Sequence, residues 1–174
     1  MPQLKHSEKI TLSLEDLERG LQFAKNTLRL AGKEVLPLFR SNLDSENKIS
    51  VGYDPVTLAD KKSEALIREE IGKHYPQHGV FGEEEGYTEG NGLTWVIDPI
   101  DGTRGFMAGM LHWGMLLALF DGETPVLGVA YQPYSEELFY GFSNSSWLQR
   151  ADEKEILLKT SSCVDLELAF LGST

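Results

Sequence analysis

Apolar residues recur near the start of the chain in alternating steps of three and four: Leu14, Leu17, Leu21, Ala24, Leu28, Ala31 and Val35. A period near 3.6 puts them on one stripe of a long amphipathic helix. Ser13 is its expected N-cap, with Asp16 three residues on, and Pro37 kinks or ends it. Residues 40–53 then turn polar, reading as a loop or as a short strand around 49–51. A second helix is expected from about residues 59–61 to His74, burying Leu66, Ile67 and Ile71 and stopped by Pro76. Asp60 falls in its first turn.

Beyond Pro76 the period changes. Short apolar runs at 80–81, 94–97, 114–120, 126–131, 138–142 and 147–148 are separated by turn signals, with Asp121-Gly122-Glu123 as a hairpin turn. They predict strands of a largely antiparallel sheet. Two N-terminal helices packed on such a sheet make a layered α+β domain, one unit over residues 1–174. Trp95 and Trp147 are expected to fill its core, and Cys163 to be a buried small hydrophobe. The last stretch, 166–171, reads as a further element with no polar tail behind it, so the chain is expected to be cut rather than finished.

Composition narrows the function. At 174 residues and 41% hydrophobic, the chain can support one globular core. No run of about 18 apolar residues exists to span a membrane. The N-terminal residues lack the apolar stretch of a secretory signal, and the single cysteine excludes a disulfide framework or a multi-cysteine zinc site; a reducing cytoplasmic setting is the expectation. Acidic residues outnumber basic ones 27 to 16, for a formal net charge of −11, the wrong sign for a nucleic-acid surface.

Three acidic features carry the candidate chemistry. Asp54-Pro55-Val56-Thr57-Leu58-Ala59-Asp60 leads into the second helix, Gly82-Glu83-Glu84-Glu85-Gly86 follows a short apolar run, and Trp95-Val96-Ile97-Asp98-Pro99-Ile100-Asp101-Gly102-Thr103 takes a strand into a turn. In the third, Asp98 is expected where the backbone leaves the sheet. Asp98, Asp101 and the Ile100 carbonyl can then converge, while Gly102 permits positive φ and Thr103 opens a helical turn whose free N–H groups favour a phosphate. Converging carboxylates repel, and the remedies are a shared proton, a basic partner or a cation; an all-oxygen donor set points to a hard metal such as Mg²⁺. Each feature alone also reads blandly: Asp-Pro and Asp-Gly as plain turns, Gly82–Gly86 as a solvated acidic turn, Asp60 as a helix N-cap. His6, His74, His78 and His112 show no ligand spacing, and packing is the expected place of His112 and Trp113.

Taken together and in this order, the three motifs resemble the signature of the inositol monophosphatase superfamily, over about residues 14–174. Residues 98–119 and 126–133 look closest to its histidinol-phosphate phosphatase branch, through Phe106-Met107-Ala108-Gly109, Trp113-Gly114 and Leu127-Gly128-Val129-Ala130-Tyr131-Gln132-Pro133. The resemblance implies the N-terminal lobe of the sugar-phosphatase fold, without the C-terminal α/β lobe whose Trp-Asp motif completes the metal site. It implies Mg²⁺ as cofactor, bound by Glu83, Asp98, Asp101 and the Ile100 carbonyl. Asp60 and Thr103 would orient and deprotonate the attacking water, the N–H groups of Gly102 and Thr103 would hold phosphate, and Glu84 would stand in the outer shell. Lys48 is the nearest match to the family's lysine, at a slipped offset. The implied reaction is metal-assisted hydrolysis of a small phosphorylated metabolite, histidinol phosphate or an inositol monophosphate, in a protein that commonly forms homodimers. A non-catalytic metal- or phosphate-binding fragment that acts through association is the alternative.

Overall fold

The first apolar stripe becomes α1, Leu14–Val35, in a computed structural model that describes residues 9–41, 45–47, 55–151 and 153–170. Its cap is the expected one: the Ser13 hydroxyl accepts from the Asp16 N–H, and the Asp16 carboxylate reaches back to the Ser13 N–H. Ala24, Leu28, Ala31 and Val35 are fully buried, whereas Leu14, counted into the stripe from its spacing, is 58% exposed in the first turn. Pro37 follows in a single 3₁₀ turn, Leu36–Leu38. Two short strands, β1 (Ser45–Asn47) and β2 (Pro55–Thr57), pair antiparallel, and the strand expected at 49–51 lies outside the described residues.

The second helix, α2, spans Leu58–His74. After it come β3 (Gly79–Gly82), β4 (Gly86–Thr88), β5 (Thr94–Asp101), the short α3 (Thr103–Met107), β6 (Gly114–Phe120), β7 (Pro125–Gln132), β8 (Glu137–Phe142), β9 (Ser145–Arg150) and β10 (Ile156–Leu157). Within the described residues β3–β10 form one sheet, in the order β10-β9-β8-β7-β6-β5-β3-β4. Every neighbouring pair is antiparallel except β3 and β5, which run parallel. The turn at Asp121 joins β6 to β7 as expected.

Burial alternates along β6 and β7, as it must when one face of a sheet is covered. The covered face carries Trp95, Ile97, Leu117, Leu119, Leu127 and Val129 beneath α1 and α2. The other face presents Val96, Leu116, Ala118 and Ala130, partly exposed, and Phe139, 41% exposed. Trp95 is fully buried, its indole N–H donating to His78 Nδ1 at 3.1 Å, while Trp147 is half-buried against Tyr140. Trp113 is buried among Phe39 and Phe106, so packing accounts for it.

Two expectations near the end of the chain are corrected. Cys163 is exposed, because the segment after β10 lies on no apolar surface. The element expected at 166–171 is one exposed 3₁₀ turn, Leu166–Leu168. No helix among the described residues is long and apolar enough to cross a membrane.

Candidate metal and phosphate site

The parallel pairing of β3 with β5 builds the centre of the site. Gly82 stands opposite Ile97 in the ladder, so the next residue of each strand, Glu83 and Asp98, emerges at the same end. An antiparallel pair would have put them at opposite ends. The Asp98 carboxyl is in hydrogen-bond contact with Glu83 and is pushed up to about 7, first by burial, then by the charges of Glu83, Asp101 and, more weakly, Asp60. Its Oδ1 is buried and has no hydrogen-bond partner. A buried polar atom left unpaired is costly, and this one sits beside two further carboxyl groups.

Asp98 was expected where the backbone leaves the sheet. Instead the ladder of β5 continues to Asp101, across a register shift between Asp98 and Asp101. Pro99, with no N–H to donate, lies in that irregular stretch, where a proline is tolerated. The strand ends at Asp101, which is exposed. Gly102 then adopts φ +86°, and a Cβ there would come within 2.4 Å of the His112 carbonyl oxygen. Only glycine satisfies both constraints. Thr103 opens α3.

Asp60 arrives from the other side, on the first turn of α2. It is 1% exposed, and its Oδ2 accepts from the Thr57 N–H at 2.8 Å and the Thr57 hydroxyl at 2.6 Å. Thr57 is therefore the helix cap and Asp60 the third residue of its capping box, which replaces the N-cap reading of Asp60. Burial raises the Asp60 carboxyl, and the Thr57 and Thr103 bonds only partly offset it. Its Oδ1 lies 3.3 Å from the Thr103 hydroxyl, which also lies 3.1 Å from the Ile100 carbonyl oxygen. Asp60, Thr103 and Ile100 thus form one chain of contacts 43 positions wide.

The structure therefore brings the predicted residues into two adjoining groups, Glu83–Asp98–Asp101 and Asp60–Thr103–Ile100. Among the described residues no group of three or more His, Cys, Asp or Glu side chains is placed to hold a metal ion by itself. The first group is an open half-set of hard oxygen donors with one orphaned oxygen, which fits Mg²⁺ in chemistry. Lys48 and Asp54 lie outside the described residues. Glu84 is half-buried, and its N–H donates to Glu64. Sequence reading missed Glu64 and Thr57. The Thr57-x-x-Asp60 spacing is a capping-box signal, and Glu64 lies one turn beyond Asp60 on the same helix face.

A family model described as the inositol monophosphatase family matches residues 16–173. A fructose-1,6-bisphosphatase/inositol-1-monophosphatase of Aquifex aeolicus is 39% identical over 131 residues, 74% of this chain and 49% of its own. A histidinol-phosphatase of Chlorobaculum parvum is 39% identical over 129 residues, 71% of this chain and 46% of its own. The favoured branch is thus one of several among the relatives. Among solved structures, an inositol monophosphatase from Zymomonas mobilis superposes with a TM-score of 0.69 at 31% identity, covering 87% of this chain and 56% of that one. The chain spans about half the length of the curated relatives it matches.

Proposed function

The chain belongs to the inositol monophosphatase family, and from that premise we propose that it forms the metal- and phosphate-binding part of a magnesium-dependent phosphomonoesterase. The observation that carries this reading is the Asp98 Oδ1, buried and unpaired beside two further carboxylates. Glu83, Asp98, Asp101 and the Ile100 carbonyl would hold the metal. Mg²⁺ bound there supplies charge neutralisation at phosphoryl oxygens and a lowered pKa for a bound water. Thr103, donating its hydroxyl proton to Asp60 Oδ1, leaves its oxygen free to accept from the attacking water and aim it. The buried Asp60, anchored on Thr57, takes the proton that Thr103 relays. N–H groups of Gly102 and Thr103 would hold the substrate phosphate at the turn where α3 begins. The substrate in this reading is a small phosphate ester, histidinol phosphate or an inositol monophosphate.

Phosphate release from a panel of such esters in Mg²⁺, by the chain alone and with the C-terminal half of a family relative added, tests the reading. The expected result is turnover of at least one ester, and a loss of about a hundredfold or more in Asp101→Asn. An Asp101→Asn protein that matches the wild-type rate overturns the assigned role. A second reading, a binding fragment that acts through association, is favoured by Val164, Leu166, Leu168 and Phe170, each 73% exposed or more. It predicts Mn²⁺ uptake without phosphate release under any of these conditions.

A further inference from the structure

Among the described buried ionisable groups to which no step has been given, Glu64 on α2 is the most completely enclosed, at 0% exposed. Its carboxylate does not face another element's core. It faces the backbone of the turn between β3 and β4. Oε2 accepts the N–H of Glu84 at 2.7 Å, and Oε1 accepts the N–H of Glu85 at 3.0 Å. Oε1 also accepts Arg68 Nε at 2.8 Å, and Arg68 Nη2 donates to the Gly86 carbonyl oxygen. Two turn residues and the first residue of β4 are thereby tied to α2, starting one residue beyond Glu83. The approach is close enough that a Cβ on Gly82 would come within 2.0 Å of Oε1.

Burying a carboxylate costs more than its ion pair returns unless its oxygens are fully bonded, and an apolar side chain serves plain stability as well. Two of the three donors to Glu64 are N–H groups of that one turn, which points to placement of the turn. We propose that Glu64 is a positioning residue for the metal: it fixes the 84–86 backbone so that Glu83 is held beside Asp98. Asp60 and Glu64 then divide the work of one helix face, Asp60 toward Thr103 and Glu64 toward the turn that carries Glu83. This role rests on the metal reading of the site given above.

The test uses the 174-residue chain and Mn²⁺ as probe, with free Mn²⁺ followed by electron paramagnetic resonance in phosphate-free buffer. Glu64→Gln replaces one acceptor oxygen with an amide donor. Gly82→Ala leaves the Glu64 side chain intact but drives it off the turn. Circular dichroism establishes that each variant is folded, and amide hydrogen exchange reports on the Glu84 and Glu85 N–H groups. The expected result is Mn²⁺ binding weakened about tenfold in both, the lower end for loss of a residue that orients a ligand, with faster exchange at those two amides. Should Glu64→Gln fail to fold, Gly82→Ala decides by the same measure. A folded variant that exchanges faster there yet binds Mn²⁺ within about twofold of wild type overturns the role of Glu64. A wild-type chain that takes up no Mn²⁺ overturns the metal reading itself, and the two failures are told apart by that one control.

Discussion

Asp121 is as deeply buried as Asp60, at 1% exposed, and its partners all come from the protein. Burial alone would raise its carboxyl, but the N–H groups of Thr124 and Glu123, at 2.8 and 3.0 Å, and Lys9 at 3.6 Å hold it below the ordinary value. Asp98 has the same burial problem with carboxylate neighbours in place of donors, and it moves the other way. A depressed carboxyl adds stability above its unfolded pKa of about 4 and loses it as pH falls through the folded value. Asp121→Ala is accordingly expected to cost about 2 kcal/mol at pH 7, with the gap to wild type narrowing at pH 3 in urea unfolding. An equal gap at both pH values would show that charge is irrelevant there. At this scale the acidic motifs were legible, because Asp-Pro, Asp-Gly and their spacing announce a turn lined with carboxylates. Glu64 was not, because one more charged residue on a helix rich in both signs looks like solvated surface until the turn folds against it.

Helix α1 lies on the sheet through its glycines as much as its leucines. A Cβ on Gly32 would meet Tyr131 Cε1 at 2.7 Å and Pro133 Cγ at 3.0 Å, whereas one on exposed Gly72 of α2 would meet nothing within 4 Å. The same substitution therefore has opposite signs. Gly72→Ala is expected to stabilise by about 0.5 kcal/mol through helix propensity, and Gly32→Ala to destabilise by about 1–3 kcal/mol through overpacking. Thermal melts of the two variants check the pair, and a Gly32→Ala chain as stable as wild type would mean that α1 can lift off β7 freely. Periodicity revealed both long helices and the strands β5–β9, since each buries one regular face. It could not reveal that β3 pairs parallel to β5, because alternation records which side of a strand is wet and not which neighbour it chooses. The continuation of β5 to Asp101 was hidden for a related reason: Pro99 reads as a stop, and only the irregular ladder lets it pass.

Among the described residues, helices cover one face of the sheet and leave the other without one. Val96, Asp98, Leu116, Ala118, Ala130 and Phe139 line a groove of about 560 Å³ on the uncovered side. The segment after β10 adds Val164, Leu166, Leu168 and Phe170, apolar at every second position and all strongly exposed. Apolar surface of this extent promotes association, and a second copy of the chain is the partner always at hand. Leu166→Ser combined with Phe170→Ser is expected to lower the weight-average mass seen by sedimentation equilibrium at a concentration where the unaltered chain associates. Identical masses would assign association to another surface. Association was an expectation of the family resemblance; the period-two stripe by itself announces a strand face without saying that it lies bare.

The parallel alignment of β3 and β5 also sets an order of assembly. Glu83 and Asp98 are about fifteen positions apart, whereas Thr103 must find Asp60 across 43. Closing the longer loop costs about 1 kcal/mol more in chain entropy. Loop entropy alone thus favours Glu83 meeting Asp98 before Thr103 meets Asp60, so in refolding the proposed metal oxygens would gather ahead of the proposed water-orienting pair.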